Sequence, residues 1–204
     1  MARMPPRLKT GPHHQAQTRI TAGEWRGRVV STPSGREVRP TRAMVRQSVY
    51  DILGTRVVGA RMLDLYAGAG TVGFEALSRG AATVTFVERH REGLALIAKT
   101  AERFGCRDRC TIVGADVRRW LRGAAEQTEE SDLCFVDAPY QDPELESVLE
   151  LLGAAPPRLV VCEHHRAREI PEQIGTLTRF REARYGLTTI SFLQRDAAPS
   201  DGTA

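Results

Sequence analysis

Arg61-Met-Leu-Asp-Leu-Tyr-Ala-Gly-Ala-Gly-Thr-Val-Gly73 is an apolar run that ends in a glycine-rich turn, with helix-forming residues after it. The spacing predicts a strand, a tight turn and a helix. Met62, Leu63 and Leu65 suit a strand buried on both faces, and Gly68, Gly70 and Gly73 let the backbone bend closely against a ligand. A G-x-G-x-x-G pattern alone serves dinucleotide-binding domains and other nucleotide sites alike. Asp64 narrows the choice. A carboxylate at the end of the strand repels a pyrophosphate but accepts a hydrogen bond from a cationic amino-acid group. The expected ligand is S-adenosylmethionine; Asp64 as a mere cap of the turn is the competing reading.

Around this centre the chain has 204 residues, 41% of them hydrophobic, enough for one ordinary domain with a real core. The net charge of +4 is unevenly distributed. Residues 1–50 hold ten Lys or Arg and two acidic residues, whereas the remainder holds 19 basic and 23 acidic. A basic arm on a mildly acidic body points to a polyanion, with nucleic acid the first choice and a solubilising arm the alternative. Cys106, Cys110, Cys134 and Cys162 fall in or beside helix and buried strands. Small buried thiols account for them better than a metal site does, which favours a reducing, cytoplasmic setting. No apolar run reaches membrane-spanning length, and no apolar signal core follows the N-terminus.

Residues 1–17 read as a disordered basic tail, in which His13-His14 is too short a tract for a metal. Thr18 to Ser31 offers two short strands around a glycine-containing bend. There Trp25, beside Arg26 and near Arg28, either stacks on a base or packs the hairpin. Pro40 opens a helix that Gly54 closes, with Met44, Val45, Val49, Ile52 and Leu53 as its apolar stripe and Arg39, Arg42 and Arg46 along its start. Residues 18–54 thus form a basic N-terminal extension, residues 55–194 the main domain, and residues 195–204 a disordered tail. Within the main domain, strands are expected at 83–87, 110–113, 132–136, 158–163, 180–185 and 187–193, with helices at 74–79, 91–104, 117–121 and 143–152. Residues 123–131 read as a polar loop. The result is an α/β, Rossmann-like, mainly parallel sheet closed by a hairpin with one antiparallel strand.

Three further carboxylates stand at strand ends. Glu88, 18 residues past Gly70, is placed to take both ribose hydroxyls. Asp116 either accepts an adenine amine or caps the helix that begins at Val117. Asp137-Ala138-Pro139-Tyr140 is a compact grip for a planar, amino-bearing base: the Tyr140 ring stacks, and the Asp137 carboxylate and a turn carbonyl accept the amine hydrogens. Two acceptors would turn the amine toward tetrahedral geometry and expose its lone pair. A plain β-turn is the competing reading.

Asp137-Ala-Pro-Tyr140 resembles the (Asp/Asn)-Pro-Pro-(Tyr/Phe) motif of amino methyltransferases, and Asp64 to Gly70 resembles their S-adenosylmethionine motif. Together with Arg19-Ile, Gly23-Glu-Trp-Arg-Gly-Arg28, Arg39-Pro-Thr41, Val45-Arg46, Glu75-Ala-Leu-Ser-Arg-Gly-Ala81 and Val87-Glu88, these segments are similar in order and spacing to the RsmD family, over residues 18–194. The resemblance implies a class I methyltransferase with a seven-stranded sheet that methylates N2 of a guanine, the 966-type position, in 16S ribosomal RNA. It implies that Asp64, Ala67, Gly68, Gly70, Glu88, Asp116 and Val117 line the cofactor pocket, and that Asp137 to Tyr140 hold the guanine. The RNA-facing set is then Arg19, Trp25, Arg26, Arg28, Arg39, Thr41, Arg42 and Arg46. The implied partner is 16S RNA in the small ribosomal subunit or its assembly intermediate, and a monomer is expected. Two departures stand out: Ala138 replaces the first proline of the motif, and Arg42-Ala-Met44 replaces the Thr-Asp-Arg that commonly follows Arg-Pro-Thr. Other readings are adenine N6 as acceptor, a dinucleotide-dependent oxidoreductase using the same glycines, and a non-catalytic RNA-binding assembly factor.

Overall fold

A computed structural model describes residues 17–32, 40–140 and 142–197. Strands β1 (Gln17–Arg19) and β2 (Val29–Ser31) pair antiparallel as the expected hairpin, and helix α1 (Pro40–Leu53) follows. Then come β3 (Arg61–Leu65), α2 (Thr71–Ser78), β4 (Thr83–Glu88), α3 (Arg91–Phe104), β5 (Cys110–Gly114), α4 (Val117–Leu121), α5 (Ala125–Glu129), β6 (Leu133–Val136), α6 (Leu145–Ala154) and β7 (Leu159–His165). Three strands close the chain: β8 (Gln173–Ile174), β9 (Leu177–Tyr185) and β10 (Thr188–Arg195).

The main sheet runs in the order β5-β4-β3-β6-β7-β10-β9-β8. β5, β4, β3, β6 and β7 are mutually parallel, whereas β10 is antiparallel to both β7 and β9, and β8 is antiparallel to β9. The seven expected strands are all present. An eighth, the two-residue edge strand β8, is additional and makes a second strand, after β10, that runs opposite to the parallel set. It is too short to leave a periodic signal. The reading of residues 123–131 as a plain loop is corrected, because Ala125–Glu129 form one helical turn held by the Thr128 hydroxyl on the Ala124 carbonyl at 2.7 Å.

Period-two alternation along the strands divides the core between the two faces of the sheet. Met62, Val84, Phe86, Phe135, Val161 and Phe192 face one side, where α1, α2, α3 and the β1–β2 hairpin cover them. Leu63, Leu65, Val87, Cys134, Val136 and Leu193 face the other, under α4 and α6. In α1 the stripe of Val45, Val49 and Leu53 is buried as expected and Tyr50 joins it, but Met44 is 70% exposed. Met44 lies one residue off the face that meets the sheet. All four cysteines are buried and free, with the Cys106 and Cys110 sulfurs 3.9 Å apart. No helix among the described residues is long and apolar enough to cross a membrane.

The N-terminal extension shares its core with the main domain. Trp25 is 3% exposed and packs on Phe104 with ring centroids 4.9 Å apart. Its backbone N–H donates to the Ser78 hydroxyl, and the Glu75 carboxylate accepts the N–H groups of Thr21 and Ala22. Arg46 completes the junction from α1, its Nε 3.2 Å from the same carboxylate.

Candidate active site

The chain leaves β3 in one direction and β6 in the other, so the crevice between their carboxyl ends is a topological switch point, where open α/β sheets bind ligands. The turn after β3 is held in unusual backbone conformations. Tyr66 has φ 60°, rare for a residue with a Cβ, and Gly68 and Gly70 have φ 58° and 74°. Gly73 serves packing instead: a Cβ there would lie 2.3 Å from the Phe86 ring, so its bare Cα lets α2 lie close on β4. Gly93, which the sequence reading passed over, does the same for α3, since a Cβ would lie 2.4 Å from the Gly68 carbonyl oxygen. A glycine in the first turn of a predicted helix was the available signal.

Asp64 is 2% exposed, and its Oδ2 accepts the Gly73 N–H at 2.9 Å. Burial pushes its carboxyl well above the usual carboxylate range; the Gly73 bond pulls the other way, and the charges of Asp137 and Glu88 push it further up. Glu88 binds the turn to β4, with Oε2 accepting Gly68 N–H at 2.8 Å and Oε1 accepting His90 N–H at 2.7 Å. Each of its oxygens has a second lone pair for a ligand. Asp116 caps α4 by accepting the Arg119 N–H at 3.0 Å, and its other oxygen lies 3.9 Å from Arg89. Ala67 is half-buried in the turn, and Val117, the first residue of α4, is buried.

Asp137 follows β6, and its N–H donates to the Leu65 carbonyl at 3.4 Å, which brings the two motifs side by side. Asp137 itself is exposed and Ala138 is buried, while the Pro139 carbonyl accepts the Asp142 N–H at 2.7 Å. Burial and the charge of Asp142, in the turn after β6, push the pKa of the Tyr66 hydroxyl up. Tyr140 is 40% exposed. Its hydroxyl lies 2.5 Å from the Thr188 hydroxyl and 3.3 Å from Glu163 Oε1, and the His165 ring meets it edge-on at 5.6 Å. Burial raises the Tyr140 hydroxyl pKa, the Thr188 bond opposes this, and the Glu163 and Asp137 carboxylates add to it, so the phenol stays neutral at neutral pH.

The basic residues divide. Arg26 is exposed; Arg19, also exposed, donates to the Gly27 carbonyl at 2.8 Å. Arg28 donates to the Arg103 carbonyl at 2.7 Å and lies 4.0 Å over the Phe104 ring, with part of its surface in solvent. Two candidates for RNA contact are internal instead: Trp25 is a packing residue, and Arg46 is 8% exposed with its guanidinium on Glu75 and the Arg19 carbonyl. Both lie in a charged, aromatic stretch that looks like a nucleic-acid face until the carboxylate of Glu75, far along the chain, is seen beneath it. Arg39 lies outside the described residues, as do the side chains of Thr41 and Arg42.

Residues 18–194 match the family described as Conserved hypothetical protein 95. The chain is 30% identical over 192 residues to Ribosomal RNA small subunit methyltransferase D of Escherichia coli K12, covering 91% of this chain and 95% of that protein. The solved structure of a hypothetical protein from Thermus thermophilus superposes with TM-score 0.73 at 26% identity, over 87% of this chain and 99% of that one. A SAM-dependent methyltransferase from Agrobacterium tumefaciens shares the fold, with TM-score 0.61 at 12% identity over 81% of this chain and 66% of that one. The chain belongs to the Conserved hypothetical protein 95 family, the RsmD family that its motifs resemble.

Proposed function

We propose that this family member transfers a methyl group from S-adenosylmethionine to the exocyclic N2 of a guanine in 16S ribosomal RNA, at the 966-type position of the small subunit or its assembly intermediate. The observation that carries the reading is the adjacency of the buried Asp64 carboxylate and the Asp137–Tyr140 grip across one switch-point crevice. The name of the Escherichia coli relative supports ribosomal RNA as the acceptor, and the proposed setting of the reaction is the cytoplasm.

The residues fit the cofactor. A buried carboxylate raised by its surroundings gains from a cationic partner, and Asp64, Glu88 and Asp137 sit close enough to influence one another. Asp64 would hold the ammonium end, Glu88 the ribose hydroxyls, the backbone of Ala67, Gly68 and Gly70 the turn against the nucleoside, and Asp116 with Val117 the adenine side. Once bound, S-adenosylmethionine supplies a methyl group on a positively charged sulfur. Tyr140 stacks on the guanine, and Asp137 accepts one hydrogen of its amine. Asp137 and the turn carbonyl would direct the nitrogen lone pair out of the ring plane, toward the methyl group that the bound cofactor would supply, and the nitrogen would give up its proton to water in exchange. Orientation and electrostatics, rather than a strong general base, carry this chemistry. The exposed Arg19, Arg26 and Arg28 of the hairpin are the proposed phosphate contacts.

Labelled methyl transfer to unmodified small subunits and to protein-free 16S RNA, followed by nucleoside analysis, tests the proposal. N2-methylguanosine from the wild type, with a loss of about 100-fold or more in Asp137→Ala at unchanged cofactor binding, is the expected result. N6-methyladenosine would move the acceptor to adenine. No transfer despite cofactor binding would favour an assembly factor.

A further inference from the structure

Because β10 runs antiparallel to its neighbour β7, its first residue lies at the edge of the sheet where β6 and β7 end. The two-residue turn Gly186-Leu187 that joins β9 to β10 is therefore delivered to the acceptor site, far from the glycine motif in sequence. Gly186 has φ 61°, and the Arg166 N–H donates to the Leu187 carbonyl at 2.9 Å, so the turn is tied to the chain after β7. Thr188 pairs with Tyr185 and His165 on its two sides.

We propose that this turn is the outer wall of the acceptor-base pocket, with Thr188 positioning the Tyr140 ring and Leu187 filling the gap in the RNA stack that the target guanine leaves. The inference rests on the guanine-methyltransferase reading above. Tyr140 has one polar atom, and it is anchored twice, 2.5 Å from Thr188 Oγ1 and 3.3 Å from Glu163 Oε1. With its hydroxyl held, the exposed ring keeps one orientation and presents a ready stacking surface. Leu187 is 55% exposed at a turn tip, where polar residues and glycine are the usual occupants. No core claims it. A base drawn from a stack leaves an apolar gap between its neighbours, and an aliphatic side chain can fill it. Arg166 and Arg184 are exposed on either side of the turn and supply positive charge for the flanking phosphates.

The test uses small subunits reconstituted with unmodified 16S RNA, either intact or abasic at the nucleotides beside the target guanine. Wild type, Leu187→Ala, Thr188→Val and Thr188→Ser are compared in methyl transfer. Thermal melts and S-adenosylhomocysteine calorimetry check that each variant is folded. Leu187→Ala is expected to lose about tenfold in kcat/KM on intact RNA and to approach wild type on the abasic substrate, where no neighbour remains to be held apart. Thr188→Val is expected to lose about tenfold in kcat on both substrates with KM little changed, and Thr188→Ser to recover most of it. Equal loss of Leu187→Ala on both substrates, or activity of both Leu187→Ala and Thr188→Val at wild-type level, overturns this inference alone. Absence of N2-methylguanosine from the wild type overturns the guanine reading together with it.

Discussion

Arg46 and Glu75 form an ion pair inside the protein, with Nε 3.2 Å from Oε2 and side chains 7% and 0% exposed. The same carboxylate accepts Thr21 and Ala22 N–H groups from the hairpin loop and Nε of Arg79 from the end of α2. One side chain thus fastens the hairpin and α1 to α2. Removing one partner of a buried pair costs about 3–5 kcal/mol where the other charge is left uncompensated, and the low end of that range applies here because Arg79 still faces Glu75 at 2.9 Å. Arg46→Ala is expected to lower the free energy of urea unfolding by about 3 kcal/mol while leaving the salt dependence of RNA binding unchanged. A smaller salt slope with unaltered stability would return Arg46 to the RNA-binding face.

Glu75 also makes stability depend on pH. Burial by itself would raise its carboxyl, yet hydrogen bonds from Thr21 and Arg79 and the Arg46 charge hold it below the usual value. The folded pKa is therefore lower than the unfolded one. The contribution is fully present above the unfolded carboxylate range and disappears as pH falls through the folded value. Denaturation midpoints of wild type and Glu75→Gln, followed from neutral pH into the acid range, are expected to converge as pH falls.

Asp64 carries the opposite sign. Burial raises its pKa, so the folded protein holds this proton where the unfolded chain has lost it, and ionisation costs stability as pH rises from the unfolded carboxylate range to the folded value. A cationic cofactor favours the ionised form, so its binding releases a proton and tightens as pH rises. Asp64→Asn is expected to fold at least as stably, to bind S-adenosylhomocysteine about tenfold or more weakly, and to lose the pH dependence. Calorimetry in buffers of different ionisation enthalpy measures the released proton directly.

Ala138 stands where the RsmD motif has its first proline, and it is 2% exposed. A proline there narrows the unfolded ensemble and stiffens the turn that carries Asp137. Ala138→Pro is expected to stabilise the protein by about 0.4–1 kcal/mol, a rise in Tm of about 1–4 °C, together with a higher kcat. A lower Tm in scanning calorimetry would mean that the turn has settled into a backbone angle a proline ring does not allow.

Arg26 is exposed on the hairpin and is proposed to contact RNA phosphate. Arg26→Ala is expected to weaken binding across RNA sequences alike and to reduce the slope of log affinity against log salt by about 0.7, the share of one contact on a single strand. Trp25→Ala, by contrast, is expected to act on stability through the Phe104 contact, costing about 3–5 kcal/mol in unfolding experiments.

Local chemistry in the sequence was enough for the strand-turn-helix at Arg61 to Ser78, for the mainly parallel sheet and for the carboxylates at strand ends. Buried parallel strands need unbroken apolar runs, and a turn against a ligand needs glycine, so both leave marks within a few residues. The tertiary structure alone decided which charges are spent inside. Arg26 and Arg46 look alike in a basic stretch, but only folding brings Glu75 under Arg46, because an ion pair depends on distance in space and not along the chain. The same reason hid Gly93 beneath the Gly68 carbonyl and the Thr188 hydroxyl beside Tyr140. The antiparallel return of β10 carries that last contact across 48 residues of sequence.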